Sequence, residues 1–336
     1  MNAVIFAFTE RGKATARRVA EALGGGEMRA PARLAGDGFA AYEGSLQDAA
    51  GSAFDRDAMV FVGAAGIAVR AIAPHVDSKL SDPAVLCVDE AGAFVIPLLS
   101  GHIGGANRLA RQLATALGAV PVITTATDIN RRFSVDAWAA EHDMIITSMA
   151  LAKRVSAEIL TRDIPFYSDA ERPDRLPEGL VWSDEGELGI CVSTRDLKPF
   201  RDTLLLVPRV LRVGIGCRRG TPAEAIEATI MSVLEKHQLR IEAVRDAATI
   251  DVKRDEAGLI ACCERHGWPL TFYTAEQLRA VPGSFQPSRF VENAVGVDNV
   301  CERAAAADGS VLLVSKSALD GVTVAVAAMK WGIAFG

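Results

Sequence analysis

The side chain best placed for chemistry in this sequence is the imidazole of His102. It stands in a turn between an apolar run and a helix-period segment, Ser100-Gly101-His102-Ile103-Gly104-Gly105-Ala106-Asn107. The spacing of Leu109, Leu113 and Leu117 predicts one buried helix face after this turn. The first N–H groups of a helix have no partner within it, so such a turn suits an anion. One interpretation is a reactive site with His102 as general acid or base; the other is a glycine turn that serves only tight packing.

A second turn of this type lies in the last third of the chain, Gly214-Ile215-Gly216-Cys217-Arg218-Arg219-Gly220-Thr221-Pro222-Ala223-Glu224. Thr221 and Glu224 have the spacing of a capping box, with Pro222 at the first helical position. The guanidinium groups of Arg218 and Arg219 offer forked donors to a carboxylate or phosphate. Capping accounts for Thr221 and Glu224 but not for the arginine pair. An anion site and a capped helix with solvated arginines therefore both stay open.

Polar side chains also follow other predicted strands. Thr124-Thr125-Ala126-Thr127-Asp128 ends one strand, and Asp251, Lys253 and Lys316 follow strands nearer the C-terminus. Site residues often lie at the carboxyl ends of strands in a parallel sheet. A polar turn explains the first group equally well, and ordinary solvated charges are the favoured interpretation of the second.

Apolar runs alternate with helix-period segments through residues 1–140, which predicts an α/β domain with a doubly wound, mainly parallel sheet. Residues 141–207 form a small middle region, where a Pro-, Asp- and Glu-rich stretch at 169–187 predicts an exposed, irregular insert. Strand and helix patterns resume at 208–336. We expect a second, smaller α/β domain there.

Composition narrows the class of function. A net charge of −6 over 336 residues argues against binding to a nucleic-acid backbone. The longest largely apolar run, 58–69, is too short to cross a membrane. The N-terminus lacks the features of a signal peptide, so a cytoplasmic protein is expected. The six cysteines show no C-x-x-C pair and no metal-ligand spacing to histidine, which predicts reduced structural thiols and no metal site.

Three segments together resemble the cobalt-precorrin-5A hydrolase family of anaerobic cobalamin biosynthesis. They are residues 63–70, residues 88–128 with the Ser-Gly-His-Ile-Gly-Gly turn, and residues 214–221 followed by 251–253 and 256–259. The likeness covers nearly the whole chain, although residues 140–207 match only loosely. It implies an enzyme that opens the δ-lactone of cobalt-precorrin-5A and releases acetaldehyde to give cobalt-precorrin-5B. Because the cobalt arrives bound in the substrate, no further cofactor is expected.

The resemblance and the residues together yield a hypothesis for the site. His102 is the expected general acid or base, Asp128 orients the imidazole or a water, and N–H groups near Gly104 and Gly105 stabilise the oxyanion. Acetate and propionate groups on the rim of the substrate require donors despite the acidic protein. The residues expected to bind the substrate are Ser100, Gly104, Gly105, Asn107, Gly216, Arg218, Arg219, Thr221, Asp251 and Lys253.

The expected partner is a small tetrapyrrole, with no nucleic acid and no membrane. A homodimer and contacts with other enzymes of the cobalamin pathway are compatible with the sequence. A non-catalytic protein that binds or channels corrinoid intermediates is an alternative, because the C-terminal domain also resembles a stand-alone protein of the aerobic pathway. A transferase that holds a nucleotide or S-adenosylmethionine is a further alternative. Against it, Gly63-Ala64-Ala65-Gly66 lacks the G-x-G-x-x-G spacing and an acidic ribose partner.

Overall fold

The chain divides into two units, residues 1–138 and 139–336. The computed structural model describes residues 1–78, 81–102, 104–130, 132–173 and 175–335, without the side chains of residues 127, 128 and 290. In these residues the first unit carries one sheet and the second unit carries two, formed by residues 144–208 and 211–328. The division of the chain into domains at 140 and 207 stays a prediction.

The first unit is built around one mainly parallel sheet. Its strands and helices are β1 (Ala3–Ala7), α1 (Glu10–Ala22), β2 (Glu27–Ala30), β3 (Ala40–Ala41), α2 (Leu46–Gly51), β4 (Ala58–Val62), α3 (Ala65–Ile72), β5 (Ala84–Val88), β6 (Phe94–Leu99), α4 (Ala106–Leu117), β7 (Val120–Pro121), α5 (Ala126–Ile129) and α6 (Val135–Glu141), the last of which continues into the second unit. The strand order is β3-β2-β1-β4-β5-β6-β7, and only β5 and β6 are antiparallel neighbours. The predicted doubly wound α/β fold is confirmed.

Apolar layers cover both faces of this sheet, because alternate side chains of each strand point to opposite sides. The predicted leucine face of α4 is confirmed: Leu109 and Leu113 are buried in one layer together with Leu86 of β5. In the other layer, the rings of Phe6 and Phe61 stack with their centroids 4.9 Å apart. The helix that follows the His102 turn is thus held firmly on the sheet.

The direction of β6 decides where the His102 turn lies. A short turn joins β5 to β6, and the Asp89 carboxylate closes it by accepting N–H bonds from Ala93 and Phe94 at 2.7 and 2.6 Å. So short a connection makes an antiparallel pair, since a parallel pair requires a crossover of about a dozen residues or more. The His102 turn therefore lies beside the amino ends of β4 and β5, and not with their carboxyl ends, where ligands usually bind in such sheets.

Residues 144–208 form a five-stranded sheet of their own. Its elements are β8 (Met144–Ile146), α7 (Met149–Glu158), β9 (Ile164–Ser168), β10 (Leu180–Trp182), β11 (Leu188–Val192) and β12 (Asp202–Pro208). The order is β10-β9-β11-β12-β8, with β8 antiparallel to β12 and the other pairs parallel. The prediction of an irregular stretch at 169–187 is wrong in part, because β10 forms an edge strand there. Its three residues are too few to show a strand period among charged neighbours.

The remaining elements form the third sheet and its helices. They are β13 (Leu211–Cys217), α8 (Ala223–Lys236), β14 (Val244–Ile250), α9 (Ala257–Arg265), β15 (Leu270–Tyr273), α10 (Ala275–Ala280), α11 (Arg289–Val295), α12 (Cys301–Ala306), β16 (Val311–Leu319) and β17 (Val322–Ala328). The sheet order is β15-β14-β13-β17-β16, parallel from β15 to β13 and antiparallel beyond. Ile226, Ile230 and Leu234 of α8 are buried, as their spacing predicts. None of the helices in the described residues is long and apolar enough to cross a membrane.

Candidate functional site

An imidazole–carboxylate pair lies in the first unit. His102 Nδ1 is 3.3 Å from Asp136 Oδ1, and the two side chains are 19% and 8% exposed. The same Oδ1 accepts hydrogen bonds from Ser134 Oγ at 2.9 Å and from the Ala137 N–H at 3.1 Å. These donors fix the carboxylate. A carboxylate at Nδ1 favours the tautomer with the proton on that nitrogen, so that Nε2 carries the lone pair a general base needs.

Asp136 is the residue that sequence reasoning missed. Asp128 was predicted to orient the imidazole, but its side chain lies outside the described residues. Asp136 stands in the first turn of α6. An acidic residue at that position is common because it stabilises the helix dipole. The sequence alone therefore does not distinguish an aspartate that contacts an imidazole from one that only stabilises the start of a helix.

The backbone N–H groups at the start of α4 are used within the turn. Ala106 donates to the Ser100 carbonyl at 3.1 Å, and Gly105 donates to the His102 carbonyl at 2.9 Å. The prediction that the Gly105 N–H stabilises an oxyanion is wrong for this conformation, because that N–H already has an acceptor. Gly104 is required by packing, since a Cβ there would lie 2.4 Å from the Cβ of Ser100.

Ser100 and Asn107 fasten the turn to its neighbours. Ser100 has a left-handed backbone (φ 55°), and its Oγ donates to the Asp82 carbonyl at 2.9 Å. Asn107 is 4% exposed and donates through Nδ2 to Thr125 Oγ1 at 2.9 Å. The polar segment 124–128 is thereby tied to the His102 turn; its prediction as a strand end is wrong, because β7 ends at Pro121 and α5 begins at Ala126. Direct contact of Ser100 or Asn107 with a substrate stays a prediction.

A second candidate site lies in the second unit, where a cavity of about 530 Å³ opens at the carboxyl ends of β13 and β14. The β16–β17 hairpin, α11 and the start of α12 complete its lining. We call it the basic cavity, because four basic residues line it: Arg218, Arg219, Lys253 and Lys316. Of the described residues in its lining, none is acidic. The structure thus brings together all three basic residues that the sequence singled out for the substrate, and adds Lys316.

The glycines of β13 have separate structural roles. At Gly214 a Cβ would lie 1.9 Å from the carbonyl oxygen of Cys301, so only glycine lets α12 pack this closely on the strand. Gly216 lines the cavity, and a Cβ there would lie 2.6 Å from Thr323 Oγ1. The Thr323 hydroxyl donates to the Gly216 carbonyl at 3.2 Å.

The predicted capping box at the start of α8 is wrong. Thr221 Oγ1 donates to the Arg218 carbonyl at 2.8 Å, and the N-cap is Pro222, which offers no side-chain cap. Glu224 instead accepts a hydrogen bond from Arg265 of α9 at 2.9 Å. Thr221 does not line the cavity and holds the turn that carries Arg218.

Two of the four basic side chains pair with carboxylates of the chain. Arg219 contacts Asp255 at 2.8 Å, and Lys253 contacts Glu256 at 3.0 Å. Glu256 also accepts the Gly220 N–H at 2.9 Å. Burial acts to raise the pKa of Glu256, but the Gly220 N–H, Lys253 and Arg219 outweigh it and hold the pKa below its ordinary value. This turn therefore already contains an anion of the chain itself.

The other two cations, Arg218 and Lys316, form no ion pair with a described carboxylate. Gly321 leaves room for the arginine, since a Cβ there would lie 3.0 Å from Arg218 Cδ. Asp251 follows β14 in a 3₁₀ turn but does not line the cavity. Lys316 is half-buried and lines the cavity.

Two cysteines, Cys217 and Cys301, line the basic cavity. The six cysteines are free and five of them are buried, which confirms the prediction of reduced structural thiols. Burial raises the pKa of the sixth, Cys217, which disfavours the thiolate that a nucleophile or metal ligand needs. Among the described residues, no group of three or more His, Cys, Asp or Glu side chains is arranged to hold a metal ion.

Comparison with known families gives matches to both halves of the chain. Residues 49–128 match the family model described as Cobalamin synthesis G N-terminal, and residues 211–327 match the one described as Cobalamin synthesis G C-terminus. The first range includes His102 and the second includes the basic residues of the cavity. Both candidate sites therefore fall within the matched ranges, except for Asp136.

Curated relatives extend these matches over most of the chain. The cobalt-precorrin-5A hydrolase of Salmonella typhimurium is 37% identical over 319 residues, which cover 90% of each chain. The cobalt-precorrin-5A hydrolase of Priestia megaterium is 32% identical over 317 residues, covering 86% of this chain and 83% of the relative. Protein CobE of a Sinorhizobium species is 31% identical over 121 residues, covering 35% of this chain and 79% of that protein.

Proposed function

Because the chain belongs to the cobalt-precorrin-5A hydrolase family, we propose that it hydrolyses cobalt-precorrin-5A, with His102 as the general acid and base. Water opens the δ-lactone of the substrate, and the released carbon unit leaves as acetaldehyde. The product is cobalt-precorrin-5B. The cobalt belongs to the substrate and takes no ligand from the protein in this proposal.

The first step is the opening of the lactone. His102 Nε2 takes a proton from water as the oxygen adds to the lactone carbonyl, and the imidazolium is stabilised by Asp136 at Nδ1. When the acyl C–O bond breaks, the imidazolium returns the proton to the leaving oxygen. A carboxyl group and a hydroxyl group result.

The second step is the loss of acetaldehyde. A base takes the proton of the new hydroxyl, the C=O bond forms, and the C–C bond to the ring breaks. The electron pair of that bond moves into the macrocycle, which is reprotonated. One imidazole that alternates between neutral and charged forms serves both steps, since each requires a base followed by an acid.

The observation that carries the assignment of the reacting group is the contact between His102 and Asp136. The protein has five histidines. The Asp136 carboxylate contacts His102 at Nδ1, and two further donors hold that carboxylate in place. This arrangement is typical of an acid–base catalyst. Its position in the matched N-terminal range connects that chemistry with the family. A homodimer, contacts with other enzymes of the pathway and a cytoplasmic location stay predictions.

Anaerobic incubation of the protein with cobalt-precorrin-5A tests the proposal. We expect one acetaldehyde for each substrate consumed, and incorporation of solvent oxygen from ¹⁸O-labelled water into the new carboxyl group. Binding of the substrate without acetaldehyde release would overturn the hydrolase and favour the alternative, a protein that binds or channels corrinoid intermediates.

A further inference from the structure

We propose that the basic cavity of the second unit binds carboxylate arms of the tetrapyrrole substrate, with Arg218 and Lys316 as the charged contacts. The inference rests on the proposed function for the identity of the ligand. The shape, lining and charge of the cavity support it separately from the His102 site.

The cavity has the size and polarity of a ligand site. Its volume of about 530 Å³ falls in the usual range for small-molecule pockets, roughly 300–1,000 Å³. Apolar side chains supply most of the wall between the basic groups, namely those of Ile250, Val291, Val295, Val300 and Val322. Such a lining suits a ligand that combines an apolar body with an anionic edge. A macrocycle rimmed with acid arms has that form, and the cavity would take one edge of it.

The ion pairs of the lining show which of the basic residues are available to bind an anionic ligand. Arg219 and Lys253 are neutralised by the carboxylates of Asp255 and Glu256. Arg218 and Lys316 have no such partner among the described carboxylates. In a chain with a net charge of −6, a concave surface lined by basic and no acidic described residues attracts anions locally. A carboxylate arm at each of the two groups would supply the missing partners.

Buried hydrogen bonds hold the backbone at Lys316 in place. The carboxylate of Glu302, which is 1% exposed, accepts the Lys316 N–H at 2.7 Å. It also accepts the Gln286 N–H and Asn299 Nδ2, each at 2.8 Å. One buried anion therefore fixes β16 relative to the segment before α11. Because this contact uses the backbone of Lys316, its side chain can be replaced without disturbing it.

Binding of a corrinoid acid and its ester tests the inference with the full chain. Cobyrinic acid carries free carboxylates on a corrin ring, and its methyl ester keeps the ring and loses those charges. We expect the acid to bind with an affinity that falls steeply with added salt. Lys316→Gln and Arg218→Gln should each weaken it by about tenfold or more, which is the effect of losing one charge-assisted hydrogen bond. The ester should bind weakly and equally to all variants.

Lys236→Gln is the matched control, because Lys236 is an exposed lysine at the end of α8 that does not line the cavity. Its affinity for the acid should equal that of the unaltered protein, and the melting temperatures of all three variants should agree. Equal binding of the acid to Lys316→Gln, Arg218→Gln and the control would overturn the inference.

The acetaldehyde assay separates failure of this inference from failure of the proposed function. If the protein releases no acetaldehyde but the two cavity variants lose affinity for the acid, the cavity assignment stands and the hydrolase does not. If acetaldehyde is released with the same KM and kcat by Lys316→Gln and Arg218→Gln, the hydrolase stands and the cavity assignment is overturned.

Discussion

Replacing Asp136 with Asn removes one charge from the His102 pair and keeps its shape. Asp136 Oδ1 accepts from Ser134 Oγ and the Ala137 N–H, and the same atom faces His102 Nδ1. An amide NH₂ group in that position would face two donors, so the Asn side chain will keep its carbonyl oxygen there. The substitution therefore removes the charge of the carboxylate and keeps an acceptor for the donors at Oδ1.

The size of the effect follows from the 3.3 Å separation of His102 Nδ1 and Asp136 Oδ1. At an effective dielectric constant of roughly 20, an imidazolium and a carboxylate at this distance attract by about 5 kcal/mol. The carbonyl of the introduced Asn side chain keeps a hydrogen bond to the imidazolium, which retains about 1 kcal/mol of this attraction. The cost of desolvating the carboxylate in the unaltered protein cancels a further part of it. A net loss of about 3 kcal/mol in the transition state corresponds to a fall in kcat on the order of 100-fold.

The assay is steady-state release of acetaldehyde from cobalt-precorrin-5A under anaerobic conditions. KM should stay within about twofold of the unaltered value, because Asp136 acts on the imidazole and not on the substrate. Asp143→Asn is the matched control: its carboxylate is 72% exposed, and its left-handed backbone (φ 49°) tolerates Asn. A kcat of Asp136→Asn within threefold of the unaltered protein (a factor of about 3 is ~0.65 kcal/mol) would contradict this role of Asp136. An equal fall in kcat for Asp143→Asn would contradict it too.

Two further predictions concern the second unit. In Glu302→Gln the amide cannot accept all three hydrogen bonds of the carboxylate, and its NH₂ group faces a donor. The substitution should lower the free energy of unfolding of the unit by about 2–4 kcal/mol. Its urea midpoint should fall below that of the control Glu235→Gln, which alters an exposed residue. An unchanged midpoint would show that Glu302 does not hold the fold. The pKa of Glu256 in the folded protein lies below its unfolded value of 4.5. The ionised carboxylate therefore contributes its full stabilisation of the fold above pH 4.5, and this contribution is lost as the pH falls through the folded pKa. Glu256→Gln should therefore flatten melting temperature against pH below about 5, and an unchanged slope would contradict this.

Local patterns predicted the elements that bury apolar faces. The leucine spacing of α4 and the Ile–Ile–Leu spacing of α8 each produce a buried face, because the period of a helix fixes which residues share a side. The position of His102 in the turn before α4 followed from the same pattern. These features depend on residues close together in the chain, and the sequence displays them directly.

Contacts between distant segments could not be predicted in this way. The carboxylate that meets His102 belongs to Asp136, and nothing in the intervening sequence marks it. The absence of a described carboxylate beside the Lys316 side chain depends on which acids fold near it. The capping box at Thr221 was wrong for a different reason. The Thr221 hydroxyl donates to the Arg218 carbonyl, and does not cap α8. The antiparallel direction of β6 was not predicted either, although the short connection at Asp89 requires it.

The most direct test of the catalytic role of His102 is single-turnover acetaldehyde release by His102→Ala, with the substrate bound before the reaction is followed. We predict that the variant binds cobalt-precorrin-5A with near-normal affinity and that its rate falls by roughly 100-fold to 10,000-fold, the usual contribution of a general acid–base. His237→Ala, at an exposed histidine that ends α8, should keep the full rate. Release by His102→Ala at a rate within about tenfold of the unaltered protein would contradict the central role of this imidazole.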